Sequence, residues 1–432
     1  MQHRVLRIYK RRQIFENLRT KMLCRFMHYP TNQRRTCTLL LSNFRRILPI
    51  YLVFMLWMIL WTASIAGPVM PLYVQSLGIG VTGWSLLATA ISLGMFFFET
   101  TWGTLTDRVD RRLLILFSML VMSVLFLLYT FGFLVRYFIV MQFFSGAIGV
   151  ILGPTTRVYV LDEAPPKYIG FFTSVWWAFY SIGGIIGPLL GTYLAESFSF
   201  NYAFYASTIL ALLLGFLVMA SFPKLKVAPK SQPRPQSVKS VLYSRSSGCL
   251  FLSAAFAFMT ISLMRSFLPL YAASAIKLST VQVGWLISLT FAVQLVAVPL
   301  IGSLADRFGR RRTAVIGFIF SSIIFLFFLV AKTPGLLFLV SAVASLGISG
   351  SSLLLLGLLP ELTSDTFYGT AVGVYGTFED LGGIFGPLVI GVVWSVSSPV
   401  LIFAVGCVAQ LMGAILILAA NPHRSSSVSA TR

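Results

Sequence analysis

The chain has 432 residues, of which 57% are hydrophobic and only 10% charged, with a mean hydropathy of +0.87. That composition excludes a water-facing globule, because most of its surface would be apolar; the solvent must be lipid. The formal charge of +21 would suggest a nucleic-acid partner in a soluble protein, but the positions of the cations give it another meaning.

Residues 1–47 alternate basic and apolar positions (Arg4, Leu6, Arg7, Ile8, Lys10, Arg11). The pattern fits an amphipathic helix on an anionic leaflet, and equally a disordered tail or a start at Met22 or Met27. Apolar stretches long enough to cross about 30 Å of hydrocarbon, each needing roughly 20 helical residues, follow at 48–74, 82–102, 113–133, 138–160, 168–194, 200–222, 250–274, 281–301, 313–331, 335–359, 369–394 and 398–420. The expected fold class is therefore an all-α membrane protein of twelve transmembrane helices.

Between the sixth and seventh stretches, residues 223–248 are rich in Pro, Ser and Lys and read as a flexible linker. The expected organisation is a tail (1–47), a six-helix bundle (48–222), the linker (223–248), a second six-helix bundle (249–421) and a short tail (422–432).

Of the 33 lysines and arginines, 28 fall on the side of the two tails and the linker. Only Arg136, Lys277 and Lys332 fall on the other, and Arg157 and Arg265 lie within spans. Such an asymmetry places both termini in the cytoplasm and argues against a nucleic-acid face. Cys24, Cys37, Cys249 and Cys407 show no paired spacing, and His3, His28 and His423 all lie in tails. No metal, disulfide framework or cofactor is expected, and no cleavable signal peptide.

The chain is one half written twice. Gly103-Thr-Leu-Thr-Asp107-Arg108-Val-Asp110-Arg111-Arg112 and Gly302-Ser-Leu-Ala-Asp306-Arg307-Phe-Gly309-Arg310-Arg311 occupy the second interhelical turn of each half, 199 positions apart. The same shift carries Asp162 onto Glu361, Gly183-Gly184 onto Gly382-Gly383, and Gly187-Pro188 onto Gly386-Pro387. Duplicated membrane proteins are commonly carriers.

These turns resemble the signature of the major facilitator superfamily, G-x-x-x-D-[RK]-x-G-[RK]-[RK]; the second copy matches throughout, and the first has Asp110 where the family has Gly. The resemblance implies two six-helix pseudo-repeat bundles rocking about a central cavity. The turn glycines would permit close helix approach, and the turn acids Asp107 and Asp306 would favour the start of the next helix. The arginines (Arg108, Arg111, Arg112, Arg307, Arg310, Arg311) would pair with Asp162, Glu163 and Glu361. That network is expected to latch the halves while the cytoplasmic side is shut. Gly183, Gly187, Pro188 and Gly191 are similar to the family's G-x-x-x-G-P-x-x-G motif, associated with antiporters. Gly382, Gly386 and Pro387 repeat much of it, so the motif also reads as helix packing alone. An arginine linked to proton coupling in drug antiporters is replaced here by Gln142, four residues before Gly146.

A charge at the centre of a bilayer helix costs about 2.5–3.5 kcal/mol on insertion scales, so it needs a partner or a wet cavity. Glu379 and Asp380 lie near the midplane of their span and diverge by about 100° around the helix. One can line a cavity while the other pairs within the bundle, as a proton or substrate group or as a structural acid. Arg265 can snorkel outward, bind an anion, or pair with Glu379 or Asp380. Arg157 and Glu99 are expected in the cytoplasmic latch. Gln142, Trp176, Trp177 and Gln294 are weaker cavity candidates, since such groups also serve packing and interhelical hydrogen bonds.

The expected function is secondary active transport of a small solute by a monomer in the cytoplasmic membrane, with protons as the coupling ion and efflux of a drug or metabolite favoured. An anion or metabolite symporter is the alternative, and a non-transporting receptor or scaffold the rival of another class. Neither a phosphate-binding G-x-x-x-x-G-K-[ST] loop nor a nucleophile with a nearby base is found, so no enzyme is expected.

Overall fold

The computed structural model describes residues 34–106, 108–132, 134–165, 168–221, 245–362 and 368–420. Most of the N-terminal segment, most of the linker, the C-terminal tail, Asp107 and the Glu361 side chain lie outside the described residues.

Every regular element among them is helical. Span 1 is Arg34–Ala63 with a continuation at Val69–Ser76, span 2 Val81–Thr106, span 3 Arg111–Leu128, span 4 Val135–Gly149 plus Leu152–Glu163, span 5 Ile169–Ser197 and span 6 Phe200–Ser221. In the second half, span 7 runs as Arg245–Ser262, a π-helical turn Leu263–Phe267 and Leu268–Ser274; span 8 is Thr280–Phe308, span 9 Arg310–Phe327, span 10 Pro334–Leu362, span 11 Tyr368–Val396 and span 12 Ile402–Ala419. Eleven helices among the described residues are long and apolar enough to cross a membrane. Span 9 falls short because three of its 18 residues are the arginines 310–312 that open it. It still packs lengthwise between spans 10 and 12.

The packing repeats with the sequence. Span 1 lies on span 5, span 2 on span 4 and span 3 on span 6; correspondingly, span 7 lies on span 11, span 8 on span 10 and span 9 on span 12. Lipid supplies no hydrophobic drive between helices, so close backbone approach has to supply the attraction. Glycine makes that possible: a Cβ at Gly94 would overlap the Phe143 carbonyl, and one at Gly146 the Ile91 carbonyl. Along span 5, Gly183 sits where a Cβ would come 2.6 Å from Met58 Cβ of span 1, and Gly187 and Gly191 abut the Thr62 hydroxyl and the Ala63 carbonyl. Gly382 and Gly386 of span 11 meet Ala255 and Met259 of span 7 in the same way. In Gly191→Leu the new side chain meets Ala63 backbone, which cannot rotate away. The thermal midpoint in detergent is expected to fall by the equivalent of about 1–3 kcal/mol or more.

The second glycine of each pair faces the other half. Span 5 meets span 8 and span 2 meets span 11, forming two seams related by the repeat. Gly184 lies against the Phe291 ring, Gly284 against Thr192 and Pro188, Gly383 against Ser92 and Gly391 against Ser85. Hydrogen bonds cross both seams: Ser288 Oγ donates to the Ile185 carbonyl at 2.7 Å, Thr89 Oγ1 to the Ile384 carbonyl at 3.3 Å, and Val281 N–H to Glu196 Oε2 at 2.6 Å. All these contacts lie in the halves of the helices away from the arginine-rich turns. At the basic end the seams part, and a Cβ on Gly103, Gly170, Gly302, Gly373 or Gly376 would meet nothing within 4 Å. The molecule is closed at one end and open at the basic end. The expected close approach at Gly103 and Gly302 is therefore absent in this conformation, because the inner parts of spans 2 and 8 stand away from their neighbours.

Candidate functional site

Where each seam stops being tight, polar chemistry begins. On the span 2–span 11 seam, the carboxyl groups of Glu99 and Asp380 come within hydrogen-bonding distance of each other. Glu379 lies close to the Tyr375 hydroxyl one turn back on its own helix, and Arg157 of span 4 lies within electrostatic reach of Glu99 and Glu379. Four charged groups from spans 2, 4 and 11 thus share one partly buried site across the two halves. Glu99 and Arg157, expected at the cytoplasmic latch, belong to this central cluster instead: Glu99 is one turn too deep to reach the turn arginines. Positions 298 and 181, which the repeat sets opposite Glu99 and Asp380, are Val298 and Ser181, so the scaffold itself does not require the acids.

The other seam ends at a cation. Arg265 stands in the π-helical turn of span 7, four residues before Pro269, which has no N–H for the Arg265 carbonyl. The Ser266 carbonyl accepts a bond from Trp84 Nε1 of the other half at 3.0 Å. The guanidinium of Arg265 donates from Nη2 to the Tyr180 hydroxyl of span 5 at 2.6 Å. It also lies 5.9 Å from the centroid of the Tyr180 ring and 5.5 Å from that of Phe291. It pairs with neither Glu379 nor Asp380, since those acids face span 2 on the opposite seam. Tyr180 occupies the position that the repeat assigns to Glu379.

The remaining cavity candidates divide. Gln294 lines a pocket with Arg265, Phe291, Thr290 and Ser345, and Trp177 is 37% exposed beside Tyr180. Gln142 is buried with its Oε1 unpartnered. Trp176 is buried too, its indole donating to Thr156 Oγ1 at 3.1 Å and its ring stacked on Phe54. Both are interior packing groups, because the phase of their helices turns them into the first bundle.

At the basic end the ion pairs seen among the described residues lie within the first half. Arg111 Nη2 meets Asp162 Oδ2 at 2.7 Å, Arg46 Nη1 meets Glu163 Oε2 at 3.3 Å, and Arg112 Nη2 meets Asp110 Oδ2 at 2.8 Å. Glu163 thus pairs with span 1 and not with a turn arginine. In the second half Arg310 Nη1 donates to the Gly357 carbonyl at 2.9 Å, and Arg311 to the Ile417 and Leu418 carbonyls at the end of span 12, where the helix dipole favours a cation. Arg108 is exposed in the turn after span 2, and Asp306 and Arg307 are exposed in the last helical turn of span 8. No latch between the halves is formed here among the described residues, because the basic end is open. Arg111 is 8% exposed, so Arg111→Ala removes a shielded charged hydrogen bond. The expected loss is about 1.5–3 kcal/mol of stability in a melting experiment.

Asp110 also accounts for the departure from the turn pattern. Gly309 has φ +87°, a conformation that favours glycine, whereas Asp110 has φ −56° and its carboxylate caps span 3 by accepting from Arg112 N at 3.1 Å.

The profile of the Major Facilitator Superfamily matches residues 52–247 and 250–432. The chain belongs to this superfamily. Relatives include the "Multidrug resistance protein MdtG" of Enterobacter lignolyticus, 26% identical over 76% of this chain and 80% of that protein. The protein of the same name from Rahnella sp. is 27% identical over 75% and 81%. Among solved structures, a point mutant of the nucleoside transporter NupG superposes with a TM-score of 0.73, 14% identity, and coverage of 87% of this chain and 99% of that one. A bacterial homologue of the human lysosomal transporter Spinster, inward-facing and occupied, gives 0.69 at 14% identity, covering 87% and 94%. The chain is a multi-pass membrane transporter with the two-bundle fold.

Proposed function

We propose that this transporter exports aromatic, drug-like molecules from the cytoplasm in exchange for protons, with the proton held by the Glu99–Asp380 pair. The name carried by the relatives supports export of drugs, and the cation asymmetry supports a cytoplasmic basic end. The observation that carries the coupling is the contact of two carboxyl groups across the seam between halves. Two carboxylates share a hydrogen bond only if one of them holds a proton. Without it, like charges about 4 Å apart repel by about 4 kcal/mol at an effective dielectric constant of 20.

Loss of the proton therefore pushes span 2 from span 11, and Arg157 is near enough to take up the freed charge. Proton occupancy and the relative position of the halves become one equilibrium. The chain acts as a monomer in this reading, since both halves of the site come from one polypeptide. Proteoliposomes with an imposed pH gradient test it: an aromatic amphiphile should move against the direction of proton flow. Co-directional movement would replace export with symport.

A further inference from the structure

We propose that the pocket beside Arg265 is a subsite for the anionic group of an aromatic substrate, the carboxylate or sulfonate of an organic acid. The inference rests on the transport reading and narrows its substrate class.

The argument begins with an uncompensated charge. Arg265 lies in a membrane span, half-buried, and among the described residues it forms no ion pair; its contacts are one phenol hydroxyl and two ring faces. A guanidinium carries five N–H donors in a planar fork, and only Nη2 is engaged. An arginine in a membrane span without an acid partner is expensive unless it faces a wet cavity or a ligand. Here it faces a pocket that also contains the Gln294 amide and the Thr290 and Ser345 hydroxyls. Those two hydroxyls donate to carbonyls of their own helices, which leaves their oxygens as acceptors. Gln294 forms no hydrogen bond to another described residue. The unused donors in the pocket therefore belong to Arg265 and Gln294, and donors suit an anion. A carboxylate would take the guanidinium side-on in two parallel hydrogen bonds.

The walls define the rest of the ligand. Phe291, Ile261, Met264, Ile287 and Ile348 make the pocket apolar around its cation, and Tyr180 and Trp177 continue the aromatic surface toward the open end. A planar ring attached to an acid group fits both features. The acid cluster sits on the other seam, so the anion and the proton occupy separate sites. Because Arg265 of one half holds Tyr180 of the other, an anion that takes over the guanidinium weakens a bond between the halves. Substrate arrival would thereby loosen the closed end.

Three probes with one aromatic body test this: 2-naphthoate, 2-naphthylmethylamine and 2-naphthalenemethanol, each titrated against the purified full chain with thermal midpoint as readout. The expected result is saturable stabilisation by the naphthoate and at least about tenfold weaker response to the amine and alcohol. Arg265→Gln should weaken the naphthoate response by about tenfold or more, Arg265→Lys should retain part of it, and Tyr180→Phe, which frees the guanidinium, should not abolish it. Equal response to all three probes, no response to naphthoate, or an Arg265→Gln protein that binds like the wild type would each overturn the proposal. Flux of the three probes in proteoliposomes separates the two readings. Gradient-driven movement of the amine or alcohol but not of naphthoate leaves transport standing and sinks the anion subsite, whereas gradient-independent behaviour of all three removes the transport reading itself.

Discussion

Asp380→Asn should uncouple solute flux from the proton gradient. In proteoliposomes the wild-type rate should respond to an imposed pH difference, and the variant should fall to the leak, a loss of about two orders of magnitude or more when the proton step is obligatory. An amide at position 380 still bonds to Glu99 but carries no exchangeable charge. The seam contact survives while its dependence on protonation disappears, so the variant should fold and melt close to the wild type. Glu99→Gln should behave alike, since either member of the pair is sufficient to remove the switch. Glu379→Gln is the discriminating control: its carboxyl lies beside Tyr375 on the same helix, and its loss should slow flux without flattening the response to pH. Full gradient dependence in both Asp380→Asn and Glu99→Gln would show that the proton travels elsewhere.

The same contrast shows what the primary sequence could convey. The 199-residue repeat and its paired glycines fix which helices touch, because small residues three or four positions apart form a continuous stripe wherever the helix goes. Apolar length located the spans but not their ends: the first helix already begins at Arg34, within the stretch expected to be a tail, and breaks after Ala63, while span 8 runs on to Phe308 and span 9 opens on three arginines outside its apolar run. Glu379, Asp380 and Arg265 stood out because a charge in hydrocarbon demands an explanation. Their partners did not. Glu99 is one turn from Gly103 and looks like part of the turn, and only the rotation of span 2 against span 11 brings it to Asp380. Arg265 is aimed by a π-helical turn that no periodicity announces, although Pro269 four residues later marks a carbonyl without its donor. Latch arginines are legible as a set, but which acid each one meets depends on the conformational state.

That state can be inverted by filling one seam. Gly284 of span 8 abuts Thr192 and the Pro188 carbonyl of span 5, 3.0 Å from where a Cβ would stand. Gly284→Leu therefore makes the present closure at the end away from the arginine turns sterically impossible. Unlike Gly191→Leu, it intrudes between the halves and not within one, so each bundle should keep its own packing. Moving a population from 1:99 to 99:1 requires about 5.5 kcal/mol, and several clashing methyl-sized groups at about 1–3 kcal/mol each reach that scale. The expected outcome is a folded, monodisperse protein without flux. Cysteines placed at Gly184 or Ser85 become reactive to a membrane-impermeant thiol reagent from the far side, and one at Gly103 becomes protected. Protection at Gly103 is the sharper readout, because that glycine has open space around it now and can be shielded only if the basic ends of the spans come together. Unchanged reactivity at both ends in a stable Gly284→Leu protein would mean that the two seams do not open and close as alternatives.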